Sequence, residues 1–543
     1  MNLIQLLLQE DKKTLQRILL IVIVTGLANI FAIEVIHTAA ESTTSDELKS
    51  YLMGSVLCVG IYIGGRKYVL DRSCEVIENI VNSVRHRIAD KIRHLELTTL
   101  EEISIPSIYA RITNDALEIS TLSQAVAWNA QALVLILFML GYIAFLSYVA
   151  FLFVALGIIL SYWAYYNEQA VLKRNWEKQS EKDQQFFRFL EHLLKGFKEL
   201  KVNRKKRWNV LDEYQKINED RKQLRIANFR KYNNNIVSSQ VFLYISIVAI
   251  IFALPTFHQV TTDVLIKIIA ALLFIIGPIE ALLSSIPLFS MIDNSVYQIQ
   301  TLEEKMDEQL RYHGIPSIDS TTEPLPFEKD IYLQGLVYEY PANKKTPAFR
   351  VGPLTLTLNK GEIIFITGGN GSGKSTFLKM LTGLYFPQQG FIAVDNAIQV
   401  NTNNRANYRD LFALIFTDFH LFDKLYGIEQ TEANQVNKLL QNMGLSSEKT
   451  SYENGQFTNL NLSSGQRKKI ALAISLFENK EIYIFDEVAA DLDPQFRDVF
   501  YYELIPELKA RNKTILIVSH DKSYWNTADR ILNFENGQLL SQK

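Results

Sequence analysis

Six apolar stretches, each long enough to cross a bilayer, constrain this chain more than any other feature. They fall at about 15–37, 50–70, 124–146, 148–168, 236–257 and 263–290. A helix needs roughly 20 apolar residues to span the hydrocarbon core. In lipid every backbone N–H and C=O must be paired within the segment, so each stretch is read as a membrane helix. The first begins too late and runs too long for a removable leader and is expected to remain as a span.

Charge sets the expected orientation. Lys12, Lys13 and Arg17 precede the first span, whereas the next connection carries Glu41, Asp46 and Glu47 before its first basic residue, Lys49. Basic residues concentrate on the cytoplasmic side, so the N-terminus is expected there. The turns near Ser147 and His258 are brief, while the connections at about 70–123 and 169–235 are dense in Lys and Arg and are read as cytoplasmic. Segments such as SVRHRIADKIRHL and EKDQQFFRFLEHLLKGF place apolar residues three and four apart, the spacing of an amphipathic helix. The spans should therefore project well beyond the bilayer as helical hairpins, with tips near Leu97–Ile105 and Gly196–Arg207.

A length of 543 residues exceeds what one core organises. Apolar residues are 48% of the chain and crowd into long runs before about residue 290. The expected division is a membrane domain at 1–292, a linker at 293–327 rich in charge and then in Gly, Pro and Ser, and a soluble domain at 328–543. With 56 basic and 58 acidic residues and a net charge of -2, no global basic field points to a nucleic-acid partner. Cys58 and Cys74 alone cannot build a disulfide framework and are read as packing residues.

In the soluble half, EIIFITG, EIYIFDE and TILIVSH resemble strands buried on both faces of a parallel sheet. Ligands of such doubly wound sheets bind at the strands' carboxyl ends. The first run leads into Gly368-Gly369-Asn370-Gly371-Ser372-Gly373-Lys374-Ser375-Thr376, followed by a helical pattern through Phe377, Leu378 and Leu381. This is a P-loop in its required setting. Its glycines turn backbone N–H groups onto phosphate oxygens, Lys374 reaches the terminal phosphates and Ser375 ligates magnesium. Asp486 ends the second run, where it can hold magnesium through water, and Glu487 is placed to polarise an attacking water. His520, after the third run, can contact the γ-phosphate.

Leu462-Ser463-Ser464-Gly465-Gln466 resembles the LSGGQ signature of ABC transporters, and it sits upstream of Asp486-Glu487 as that family requires. The chain resembles an ABC exporter over nearly its whole length, since SIYARITNDA, ahead of the third span, also resembles the exporter pattern. The resemblance implies a fold of a six-span α-helical membrane domain plus an α/β P-loop ATPase domain, of the type I-like exporter class. It implies that Tyr340 stacks on adenine and that Asp493 lies at a dimer seam. It implies ATP and Mg2+ as cofactors, with ATP between two motor domains: Tyr340, Lys374, Ser375, Asp486, Glu487 and His520 from one copy meet Ser463, Ser464, Gly465 and Gln466 from the other. One P-loop and six spans are half a transporter, so a symmetric dimer is expected. A heterodimer would be favoured by a missing catalytic residue, but Glu487 and His520 are both present.

Two departures stand out. The glutamine expected near the metal is replaced by Thr417 followed by Asp418, which offer oxygen to the metal or its water but not the same reach. The TEVGE-like stretch before the signature is replaced by Tyr452-Glu453-Asn454-Gly455-Gln456-Phe457. These departures, with TDFHLFD and SSGQRKKIALA, resemble the bacterial subgroup that exports cyclic peptides and peptide siderophores. The resemblance implies a multi-pass protein of the bacterial inner membrane, with both termini and the ATPase domain cytoplasmic. The implied cargo is a cyclic or modified peptide (a secondary metabolite, siderophore or peptide antibiotic) moved by alternating access. Export of a lipid, a lipid-linked precursor or a general amphiphile is the alternative, and an ATP-binding regulatory membrane protein the alternative of another class. Within the spans Glu34 and Glu280 are costly in lipid and so are functional candidates. Lys267 is expected to snorkel outward, and Asn29, Tyr62 and Asn129 could serve either cargo or neighbouring helices.

Overall fold

The computed structural model describes residues 12–41, 45–103, 105–257, 261–313, 324–340, 348–428 and 432–542. It divides into two units: Met1–Ala89 with Pro106–Glu303, and Asp90–Ile105 with Glu304–Lys543. His258, Pro341 and most of the Gly-Pro-Ser part of the expected linker lie outside the described residues.

The first unit is helical, built from α1 (Lys12–Glu41), α2 (Ser45–His94), α4 (Ile105–Ala110), α5 (Ala116–Leu146), α6 (Tyr148–Lys195), α7 (Phe197–Val202), α8 (Arg204–Phe257) and α9 (Thr262–His313), while α3 (Leu97–Ile103), α2 from Asp90, Ile105 and α9 from Glu304 belong to the second unit. A π-helical turn at Arg111–Asp115 joins α4 to α5. The 50 residues of α2 make a rod of about 75 Å at 1.5 Å per residue, more than twice the ~30 Å hydrocarbon core. The helix α9 runs on to His313 through the first part of the segment read as linker, because QIQTLEEKMDEQLRYH keeps a helical apolar spacing. Among the described residues five helices are long and apolar enough to cross a membrane. The remaining apolar run, the fourth in chain order, opens α6, whose described apolar part is Tyr148–Ala164.

The tight connection at Ser147 has a local cause. Its N–H closes α5 on Ile143 O at 2.8 Å, and its hydroxyl accepts from Ala150 N at 3.3 Å to cap α6. Small residues set helix spacing in this unit. A Cβ on Gly65 would lie 2.1 Å from Thr25 Cγ2, and one on Gly157 would lie 1.9 Å from Ser246 Oγ. Most of the polar residues singled out in the spans have partners within this unit. Tyr142 Oη donates to Glu34 at 2.5 Å, Gln240 Nε2 donates to Glu280 at 2.5 Å, and Lys267 pairs with Asp263 at 3.0 Å. Asn129 donates to Ala125 O and accepts from Ser285 Oγ.

The second unit carries three sheets. Strands β1 (Asp330–Tyr340), β2 (Phe349–Asn359), β4 (Gln389–Val394) and β5 (Ile398–Gln399) form an antiparallel sheet in the order β2-β1-β4-β5. The main sheet has the order β12-β11-β3-β10-β9-β6, from β3 (Ile363–Gly368), β6 (Phe412–Ile415), β9 (Ile482–Asp486), β10 (Thr514–Val518), β11 (Arg530–Glu535) and β12 (Gln538–Gln542). All but β12 run parallel. Side chains alternate across a strand, so Ile363 and Phe365 enter one core while Ile364 and Ile366 enter the other. This two-sided burial explains the unbroken apolar runs. The third sheet is the hairpin β7 (Tyr452–Glu453) and β8 (Gln456–Phe457), made from the YENGQF departure. Asn454 and Gly455 both have positive φ, 51° and 78°, the geometry a two-residue hairpin turn demands.

Candidate nucleotide-binding site

Strand register brings the sequence candidates to one edge. Val518 pairs with both Ile366 and Asp486, and Ile415 pairs with Phe485. The residues that follow these positions, Gly368, Glu487, His520 and Thr417, therefore emerge together at the carboxyl ends of β3, β9, β10 and β6, where ligands of such sheets bind.

The loop 369–373 joins β3 to α10 (Lys374–Leu381). Gly368 has φ 144°, and a Cβ there would lie 2.2 Å from Phe534 O, so no side chain fits. Lys374 is buried and its Nζ donates to Gly368 O and Gly369 O, both at 2.9 Å, which holds the ammonium inside the loop. Ser375 Oγ donates to Asp486 Oδ2 at 3.4 Å. Burial raises the Asp486 carboxyl above its ordinary range, and hydrogen bonds from Thr417 and Ser375 pull it back. Two hydroxyls around one buried carboxylate form an all-oxygen donor set that suits a hard divalent cation completing its shell with phosphate and water. Of the two residues in the departure, Thr417 is the one whose side chain lowers the Asp486 carboxyl.

Glu487 sits at φ 52°, a left-handed conformation that costs a non-glycine residue roughly 1–3 kcal/mol and concentrates at functional sites. His520 Nε2 approaches Glu487 Oε1 at 3.5 Å, with both side chains partly exposed. Tyr340 closes β1, and its hydroxyl lies 3.2 Å from Thr376 Oγ1. Its ring packs edge-on against Tyr338 at 5.1 Å.

Ser463 caps α13 (Ser464–Glu478) in a reciprocal box: its hydroxyl accepts from Gln466 N, and Gln466 Oε1 accepts from Ser463 N. The cap leaves an exposed helix N-terminus suited to an anion. Gly465 is required by crowding, since a Cβ would lie 2.4 Å from Asp491 O. Asp493 caps α14 (Pro494–Val499) by accepting from Phe496 N at 2.9 Å. The Lys469 ammonium, 2.8 Å away, holds its carboxyl below the usual range.

Sequence reasoning missed two sets of residues. The first is the lysine pair of α13: besides Lys469, buried Lys468 donates to Glu487 O at 2.8 Å and pairs with Asp491 at 2.9 Å. The strained backbone of Glu487 is thereby tied to the signature helix. The RKK run after the signature was the available signal. The second set receives the tip α3. Glu96 is buried between Arg405, at 3.1 Å, and Arg409. Glu101 pairs with Lys379 at 3.0 Å and accepts from Tyr385 Oη at 2.5 Å. Burial pushes the Tyr385 phenol upward, and its bond to Glu101 adds to the shift. Lys379 lies on α10, so the tip touches the P-loop helix itself.

Comparison with known proteins agrees with this geometry. The profile of the ABC transporter family matches residues 351–490. The ATP-binding protein SyrD of Pseudomonas syringae pv. syringae is 28% identical over 96% of this chain and 92% of its own length. The energy-coupling factor transporter ATP-binding protein EcfA1 of Mesomycoplasma hyopneumoniae is 32% identical over 35% of this chain and 72% of its own. The nisin transport ATP-binding protein NisT of Lactococcus lactis subsp. lactis is 29% identical over 46% of this chain and 43% of its own. The solved structure of a bacterial Atm1-family ABC exporter with ATP bound superimposes with a TM-score of 0.72, at 17% identity, over 98% of this chain and 95% of that one. With its P-loop, its signature and a membrane-spanning helical unit fused ahead of them, the chain belongs to the ABC transporter family, as a half-transporter whose ATPase is coupled to transport.

Proposed function

We propose that two copies of this chain form a homodimer that exports a cyclic or modified peptide across the bacterial inner membrane by alternating access. In this reading 1–292 is the membrane domain, 293–327 the connection and 328–543 the ATPase domain, with both termini cytoplasmic. The observation that carries it is the convergence of Lys374, Ser375, Asp486, Glu487 and His520 at one sheet edge, on the unit that also holds the tip α3.

The roles follow from placement. Backbone N–H groups of Gly368, Asn370, Gly371, Ser372 and Gly373 cradle the phosphates, Thr376 supports the loop, and Tyr340 faces adenine. Ser375 and Asp486, with Thr417 behind them, would hold Mg2+, which when bound neutralises phosphate charge. Glu487 accepts a proton from the water that attacks the γ-phosphorus as the bond to the bridging β–γ oxygen breaks. His520, 3.5 Å from Glu487, orients that carboxylate and contacts the γ-phosphate. Ser463, Ser464, Gly465 and Gln466 of the second copy close the site, with Asp493 at the seam. Closure, relayed through α3, turns the cavity outward, and hydrolysis resets it.

An intact Glu487–His520 pair supports two equivalent sites, and so a homodimer over a heterodimer with one degenerate site. The exposed N-terminus of the signature helix, at Ser463 and Ser464, and the exposed apolar residues of α7, Phe197 and Val202, suit a second copy. The peptide cargo is supported by the TDFHLFD departure and by likeness to NisT, named for nisin transport, while whole-length likeness to SyrD supports the fusion of membrane and ATP-binding parts in one chain.

The test is ATP-dependent uptake of a fluorescent cyclic lipopeptide into inverted vesicles, with Glu487→Gln as the control. Uptake abolished in the variant, with ATP still bound, is the expected result. ATP hydrolysis without peptide uptake would move the assignment to a lipid cargo or a regulatory role.

A further inference from the structure

In the membrane unit α1, α2, α5 and α9 line an open cavity of about 270 Å³, with Asn29, Tyr62, Arg66, Trp128, Gln131 and Pro278 among its walls. Arg66 lies roughly 18 residues beyond Leu48, where the span in α2 begins, or about 27 Å along the axis. That depth is near the end of the hydrocarbon core opposite the one at which the span begins. An arginine there ordinarily snorkels toward the headgroups. Arg66 does the reverse: its Nη1 donates to Tyr62 Oη at 3.0 Å, one turn deeper, and its guanidinium lies 5.9 Å from the Tyr62 ring. Neighbouring Lys67 is exposed and takes the outward position. Among the described residues Arg66 has no carboxylate partner. Gln131, across the cavity, presents an amide Nε2 that is buried with no hydrogen-bond partner. A cation and an unmet donor around one space, at a depth where such groups are costly, mark a place built for an acceptor.

We propose that this cavity is a cargo subsite for a carboxylate, with Arg66 as its fixed cation, Gln131 as second donor and Trp128 as the apolar wall. The assignment rests on the export reading above and narrows it to anionic amphiphiles. The volume is below the roughly 300–1,000 Å³ of pockets that enclose a whole drug-sized ligand, so it takes one group of the cargo.

The test uses the full-length protein in nanodiscs, titrated with dibromostearate and with its amide. Quenching is followed as the difference from Trp128→Phe. The acid should bind about tenfold more tightly than the amide. Arg66→Gln should bring that ratio near one, Arg66→Lys should restore part of it, and ATPase activity in both variants reports folding. Equal quenching by acid and amide, or an acid preference that survives Arg66→Gln, would overturn the subsite. Uptake of an acylated peptide and of its C-terminal carboxamide into inverted vesicles separates the two readings. Acid-selective quenching without uptake of either peptide sinks peptide export and leaves the subsite standing. Uptake of both peptides with no effect of Arg66→Gln leaves export and removes the subsite.

Discussion

The two helical tips α3 and α7 are alike in length and opposite in environment. At α3 the acid Glu96 is buried between two arginines, and Leu97 packs against the core of the ATPase unit. At α7 the apolar residues Phe197 and Val202 stand 58% and 90% exposed. Both are short helices between long, charged rods, and periodicity alone does not tell them apart. What differs is the partner: the first tip belongs to the same compact unit as its own ATPase, and the second keeps apolar surface that folding of one chain leaves uncovered. Apolar side chains left exposed at a helix tip suit a partner, and under the homodimer proposed above the second copy is the economical occupant.

The sharpest way to break this contrast is at Glu96. Its side chain is 7% exposed and that of Arg405 2%, and removing one partner of a buried pair costs about 3–5 kcal/mol. Burial already lowers the Arg405 guanidinium below its ordinary pKa, with Glu96 opposing the shift. Glu96→Gln should therefore cut ATP-driven uptake by more than about tenfold while hydrolysis falls less than about threefold, and Arg405→Gln in the same chain should recover part of the loss. Equal losses of uptake and hydrolysis would mean that the pair serves folding alone. At the second tip, Phe197→Ser with Val202→Asp should leave the melting temperature nearly unchanged, since exposed substitutions stay within about 0.5 kcal/mol. ATPase activity should drop several-fold as the copies lose contact, seen as a lower dimer fraction in sedimentation. An unaltered dimer and ATPase rate would mean that α7 is simply solvated.

How much of this could be read in the sequence divides along the same line. The P-loop, Asp486, Glu487 and the signature were legible because each needs fixed residue types at fixed spacing beside a strand or a helix cap. The parallel sheet was legible because strands buried on both faces carry unbroken apolar runs. The position of the first tip was legible from helical periodicity, but its receptor was not: Lys379, Tyr385, Arg405 and Arg409 are scattered over α10, the loop after it and the short helix α11 (Arg405–Arg409), and only tertiary packing gathers them. Lys468 was hidden for the same reason, since its partner is a backbone carbonyl 19 residues away. The Asn-Gly pair in YENGQF carries a hairpin signal of its own, which its departure from the family pattern does not convey.

The smallest expected effect lies on the rim of the first tip and sharpens the distinction between buried and half-exposed charge. Glu101 is 46% exposed in its pair with Lys379, so the pair itself contributes little, about 0–1 kcal/mol. Glu101→Gln should lower uptake no more than about threefold, far less than Glu96→Gln. Its partner Tyr385 gives a pH signature. Burial, with the Glu101 hydrogen bond second, raises the folded phenol above its unfolded value of about 10. A group raised in this way contributes stability that is fully present below the unfolded value and is lost as pH rises through the folded one. Melting of the full-length protein between pH 8 and 11 should show an alkaline decline that Tyr385→Phe makes shallower. Glu101→Gln should shift this decline only slightly, since burial is the larger cause. An alkaline limb identical in wild type and Tyr385→Phe would show that the phenol titrates alike in both states and that the rim contact is open to water.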